Sequence, residues 1–167
     1  MRRSAFLLLA LLAGCGGAED PTYTFRDNPS AILASKADFD PMRMAGLWHE
    51  VARFPDGACA GGRVLYAPSP GDTLVVQETC GGTTRTGSVS PSGPGRQSVT
   101  LGQETHESWV LWADTGYRTV VQVAPDGTAG RVLDRELILP ADRRKAVLEV
   151  LDFNGFNASD LVFSPAG

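Results

Sequence analysis

The sequence is poor in the residues from which metal centres, thiol chemistry and nucleic-acid surfaces are built. It has three cysteines, two histidines and no basic run in 167 residues. His49 and His106 are far apart, no Cys/His cluster has zinc spacing, and no Gly-x-Ser-x-Gly segment is present. Neither a metal, a cofactor nor a catalytic nucleophile with its base is therefore expected, and the chain reads as a non-enzyme. Long apolar runs are missing too. The apolar stretch from Ala5 to Ala13 is far shorter than the roughly 20 residues a membrane-spanning helix needs. With Arg2 and Arg3 before it and small residues after it, residues 1–14 read as a secretory signal. Outside them thirteen basic residues face nineteen acidic ones, a formal charge of −6. Affinity for a phosphate backbone comes from Lys and Arg, so nucleic acid is excluded as a partner. The remaining length of about 150 residues suits one hydrophobic core.

Leu12-Ala13-Gly14-Cys15 resembles the lipobox of bacterial lipoproteins. The resemblance implies that Cys15 becomes the acylated first mature residue and a membrane anchor. Gly16 in place of aspartate implies sorting to the outer membrane, facing the periplasm. In an exported chain the other two cysteines, Cys59 and Cys80, are expected to form one disulfide, worth roughly 3 kcal/mol for a loop of this length. Residues 15–38 read as the lipidated cysteine and a flexible tether, with a short helical turn near Pro29 to Ser35.

From Gly46 onward, short apolar segments alternate with turn residues, the pattern of an all-β domain spanning 39–167. Strands are expected at 46–54, 62–67, 73–79, 84–90, 96–104, 108–114, 117–124 and 129–135. Pro68 to Asp72 and Pro125-Asp126-Gly127 have hairpin chemistry, so neighbours in sequence should pair. Pro140 opens and Gly155 ends a helix over 141–154, whose apolar stripe of Val147, Leu148, Val150 and Leu151 needs a sheet to lie on. Eight antiparallel strands in up-and-down order close into a barrel, with this helix packed outside.

Gly46-Leu47-Trp48, set in Phe39 to Pro55, resembles the opening motif of the lipocalins, closest to bacterial outer-membrane lipocalins and apolipoprotein D. Asp114 with Tyr117 resembles the turn before that family's seventh strand. Leu133-Asp134-Arg135 resembles the end of the eighth, and Gly155 to Leu161 the stretch after the C-terminal helix. The resemblance spans about 39–163, with 84–104 too polar and Gly-rich to align. It implies a ligand-binding cup closed by Trp48, with Arg135 across the indole.

Alternation from Trp48, carried through the family register, places Glu50, Ala52, Phe54, Val64, Tyr66, Val75, Gln77, Val110, Trp112, Tyr117, Thr119, Val121, Val123, Arg131 and Leu133 inward. Of these, Glu50, Phe54, Tyr66, Gln77, Val110, Trp112, Tyr117, Val121 and Arg131 are the candidate ligand-binding residues. Glu50 and Arg131 face each other across adjacent strands. They form either a self-satisfied ion pair or a site in which Arg131 meets the head group of an anionic amphiphile. A single β-bulge would reverse the parity beyond it. The expected function is binding, storage or transport of a small lipid-like ligand such as palmitate or a lysophospholipid. The alternative is a barrel-type protease-inhibitor lipoprotein acting through a protein surface, against which the helix at 141–154 argues.

Overall fold

The computed structural model describes residues 24–56 and 61–164. Eight antiparallel strands wind in sequence order: β1 (Gly46–Arg53), β2 (Arg63–Ser69), β3 (Thr73–Cys80), β4 (Thr83–Gly93), β5 (Arg96–Leu101), β6 (Glu104–Ala113), β7 (Thr119–Val123) and β8 (Gly130–Asp134). Strand β1 pairs with both β2 and β8, so the sheet closes into a barrel, as the strand count implied. A short β9 (Val162–Phe163) pairs with Ala52 and Arg53 on the edge of β1 opposite β8, beyond the residues that pair with β2. The helix α1 (Ala141–Phe153) lies outside.

Two boundaries differ instructively from the sequence reading. A turn at Gly102, where φ is +64°, splits the expected strand 96–104, and β6 starts at Glu104 instead of 108. Glu104 to Glu107 lack apolar residues because this end of β6 borders a polar cavity. No helix forms at Pro29 to Ser35; a 3-10 turn at Pro41–Met44 precedes β1 instead.

The end of the barrel near Gly46 is sealed. Trp48 is fully buried and its indole N–H donates to the Met44 carbonyl at 2.7 Å. The Arg135 guanidinium lies 3.7 Å from the indole centroid and donates to the Leu47, Ala45 and Arg43 carbonyls. A Cβ on Gly46 would meet the Arg135 guanidinium at 3.0 Å, and φ there is +104°, so the glycine is required twice over. Asp114 holds the β6–β7 turn by accepting from the Arg118 and Thr119 amides, and Tyr117, in the left-handed region, accepts from the Asp40 amide.

Two apolar clusters result. One fills the closed half of the barrel, with Trp48, Val64, Tyr66, Leu74, Val76, Val110, Val120 and Leu133. The other lies between the outer wall and α1, with Phe25, Val51, Phe54, Val121, Val132, Val147, Leu151 and Phe156. The start of α1 is pinned by Arg143, which donates to both oxygens of the fully buried Asp134 at 3.1 Å. Leu47 is exposed, while Val51 is buried under the helix. Residues 24–38, expected as tether, run along this outer wall: Phe25 donates to the Gly127 carbonyl and Lys36 to that of Val110.

Candidate functional site

Two bulges decide which side chains face the interior. In β1 the register against β8 steps from Glu50–Leu133 to Ala52–Val132, so Val51 is an extra residue. Glu50 stays inward, but beyond the bulge Arg53 turns in while Ala52 and Phe54 turn out. In β6 the pairing with β7 steps from Val110–Gln122 to Trp112–Val121. Val110 faces in, and Trp112 packs on the outer cluster below α1.

The inward expectation is corrected for several candidates. Phe54, Trp112 and Val121 belong to the outer wall, together with Ala52 and Val123, and Thr119 donates to Asp134 beside α1. Gln77 is exposed and so is Val75, because Leu74, Val76 and Glu78 form the inner face of β3. Tyr117 belongs to the closed end, with Phe39 stacked on it and Arg43 above the ring at 3.9 Å. Glu50, Tyr66, Val110 and Arg131 face inward, Tyr66 and Val110 within the packed lower half. Trp112→Ala should therefore leave ligand affinity in the cup unchanged, which a titration of both proteins with one ligand measures.

Above the apolar plug the interior is polar. Two adjoining cavities of about 250 and 290 Å³ share Arg53, Glu78, Arg85 and Arg131 in their walls. Arg131 is the hub: it donates to Glu78 at 2.6 Å, Gln122 at 3.0 Å and the Tyr66 hydroxyl at 3.3 Å. Its distance to Glu50 is 4.0 Å, because Glu50 is engaged by Arg53 Nε and Nη2 at 2.8 and 3.1 Å. Arg53 also holds Asp56, and Arg85 bridges Glu78 at 3.5 Å and Glu104 at 3.6 Å. Burial alone would raise the Glu78 pKa, but Arg131, Arg85 and Arg53 outweigh it and hold the carboxyl below its ordinary range. Burial drives the Tyr66 hydroxyl upward despite Arg131.

Glu78, Arg53, Arg85, Gln122 and His106 were missed by the sequence reading. The usable signal was a charge or amide alternating with apolar residues, as in Leu74, Val76 and Glu78. The outer cluster obscures it, since β7 reads Thr-Val-Val-Gln-Val and is buried on both faces.

His106 lines the same cavity and its pKa is depressed, by burial first and then by Arg131 and Arg85, against Glu78 and Glu104. The fold resists its protonation, so stability is lost as pH falls below the ordinary value of 6.5 and the unfolded chain takes up the proton. An NMR titration of His106 should give a midpoint below 6.5, moving up in Arg131→Met.

Cys80 ends β3 and is disulfide-bonded. Cys15 and Cys59 lie outside the described residues, so lipidation and the Cys59 pairing are not seen. Among the described residues no cluster of His, Cys, Asp or Glu is arranged to hold a metal.

No family model and no curated protein matches the sequence. Solved structures do match the fold. Lobster apocrustacyanin A1 is 14% identical, with a TM-score of 0.60 over 82% of this chain and 91% of that one. Insecticyanin from the tobacco hornworm Manduca sexta is 19% identical, with a TM-score of 0.61 over 80% and 84%. At these identities the likeness speaks for architecture, and together with the closed eight-stranded barrel, its plugged end and its outer helix it shows that the chain has the lipocalin fold.

Proposed function

We propose that this chain is a bacterial envelope lipoprotein, anchored to the outer membrane through Cys15, that binds a small amphiphile of the fatty-acid or lysophospholipid type in its cup. The observation that carries the reading is the inward cluster of Arg53, Arg85 and Arg131 above a packed apolar plug. These arginines surround the two deepest carboxylates, Glu50 and Glu78, with Asp56 and Glu104 as further partners of Arg53 and Arg85, so an anionic head group would enter by displacing one of these carboxylates from its arginine. The apolar area available to a tail is smaller than an oily cup would offer. Leu101, Ala124 and Ala129 line the upper wall, and each cavity is below the roughly 300–1,000 Å³ of typical ligand sites. A long chain would therefore leave its tail end outside the barrel. Lipid extracted from the purified protein should contain a fatty acid or lysolipid, and added palmitate should bind with micromolar affinity, about −8 kcal/mol. Binding of neither palmitate nor hexadecanol would remove the proposal. Intact mass should show an acylated Cys15 as the first residue, and non-reducing alkylation should find Cys59 and Cys80 both blocked.

A further inference from the structure

The described chain begins at the open end of the barrel. Thr24 donates through its hydroxyl to the Asp126 carbonyl at 3.3 Å, and the Phe25 amide donates to the Gly127 carbonyl at 2.8 Å. Both acceptors lie in the β7–β8 turn, which rims the mouth. The attachment is built in. Phe25 is 4% exposed and stacks on Phe54 at 4.7 Å, and a Cβ on Gly127 would strike the Thr24 hydroxyl at 2.3 Å. From there residues 24–40 descend the outer wall to the closed end, where the Asp40 amide donates to Tyr117.

Only Gly16 to Tyr23 separate Cys15 from this rim. Nine Cα steps reach at most about 30 Å when drawn straight. The barrel wall is of the same order, since the ten residues of β6 at about 3.3 Å each make about 30 Å of strand. A cup pointing away from the membrane would need the whole connection stretched along its own wall. A cup pointing toward the membrane needs almost none of it.

We propose that the mouth of the cup faces the leaflet that carries the Cys15 lipid, and that amphiphiles pass between that leaflet and the cup head group first. This rests on the acylation of Cys15 and on the inward arginines of the proposed function. The turns at Gly81-Gly82 and Gly102-Gln103 present no bulky apolar tips, so at these turns the rim would stand over the head-group layer and not plunge into the hydrocarbon. The part of a leaflet lipid nearest to such a rim is its head group, which is also the part that Arg53, Arg85 and Arg131 would receive.

The test uses the full acylated chain in phosphatidylethanolamine/phosphatidylglycerol vesicles whose head groups carry a fluorescent acceptor. Donor dyes are attached through p-azidophenylalanine placed either at Gln103, on the mouth, or at Ser92, at the closed end. Energy transfer from the Gln103 donor should exceed that from the Ser92 donor several-fold. Sixteen Gly/Ser residues inserted between Gly17 and Ala18 should shrink the difference and slow uptake of a fluorescent fatty acid from the vesicles several-fold. Equal transfer from the two donors, or more from Ser92, overturns the orientation. An unmodified Cys15 in the mature protein overturns the anchor beneath it as well. Palmitate binding to the Cys15→Ser chain but not to the acylated one would mean that the protein's own acyl chain fills the cup, which also overturns passage from the leaflet.

Discussion

Replacing Phe54 with alanine should lower the fold's stability by about 3–5 kcal/mol while leaving palmitate affinity unchanged. The ring is fully buried outside the barrel, between Phe25 at 4.7 Å and Phe156 at 5.7 Å, and it packs against Gly130. Alanine would leave a cavity bounded by the N-terminal strap, the β8 start and the segment after α1, three pieces that cannot collapse together without losing their own hydrogen bonds. For a domain near 150 residues each kcal/mol moves the midpoint by about 2–4 °C, so a drop of about 6–20 °C is expected in thermal unfolding followed by circular dichroism. The unchanged affinity distinguishes the outer wall from the cup. A variant that keeps its midpoint but loses palmitate would mean that the ring faces the ligand, as strict alternation from Trp48 would have it.

Arg131→Ala should weaken palmitate at least tenfold, and Glu78→Gln should strengthen it. Arg131 now divides its donors among Glu78, Gln122 and Tyr66, so an incoming carboxylate must compete with a carboxylate already bound at 2.6 Å. Removing the Glu78 charge frees the guanidinium without changing the shape of the wall. Removing the guanidinium takes away a charged hydrogen bond worth about 1.5–3 kcal/mol. Truncating Arg131 also leaves Glu78 buried without its main partner, a loss of about 3–5 kcal/mol in stability, so affinity must be measured well below the variant's midpoint. Hexadecanol serves as the control: equal losses for acid and alcohol in Arg131→Ala would make the arginine a structural element only. The pH dependence follows the same pair. Because Glu78 is held below its ordinary value of 4.5, its contribution to stability is full above that pH and is lost as pH falls through the depressed value. Glu78→Gln should flatten this acid limb of the stability curve.

The barrel could be read from spacing because its cues are local. Turn residues such as Pro125-Asp126-Gly127 act within four residues, a strand of five to eleven residues announces itself by its own composition, and Pro140 with Gly155 brackets α1. The Arg135 contact with Trp48 is expected from the lipocalin resemblance and not from spacing, because Gly46-Leu47-Trp48 and Leu133-Asp134-Arg135 lie far apart in the chain. The cavity wall could not be read from spacing either. Its makeup depends on two inserted residues, one in β1 at Val51 and one in β6 between Val110 and Trp112, and a bulge leaves no trace in hydropathy where both faces of a strand are buried. On β1, β6 and β7 the outer face is covered by α1 and by residues 24–38, so valines occur on both sides and alternation carries no sign of inside or outside. Alternation from Trp48 places Glu50 inward, and the family register adds Arg131. Only the folded barrel shows that Arg53 takes Glu50 while Arg131 turns to Glu78, because strand tilt brings β3 and β8 together across the cup from opposite ends of the chain.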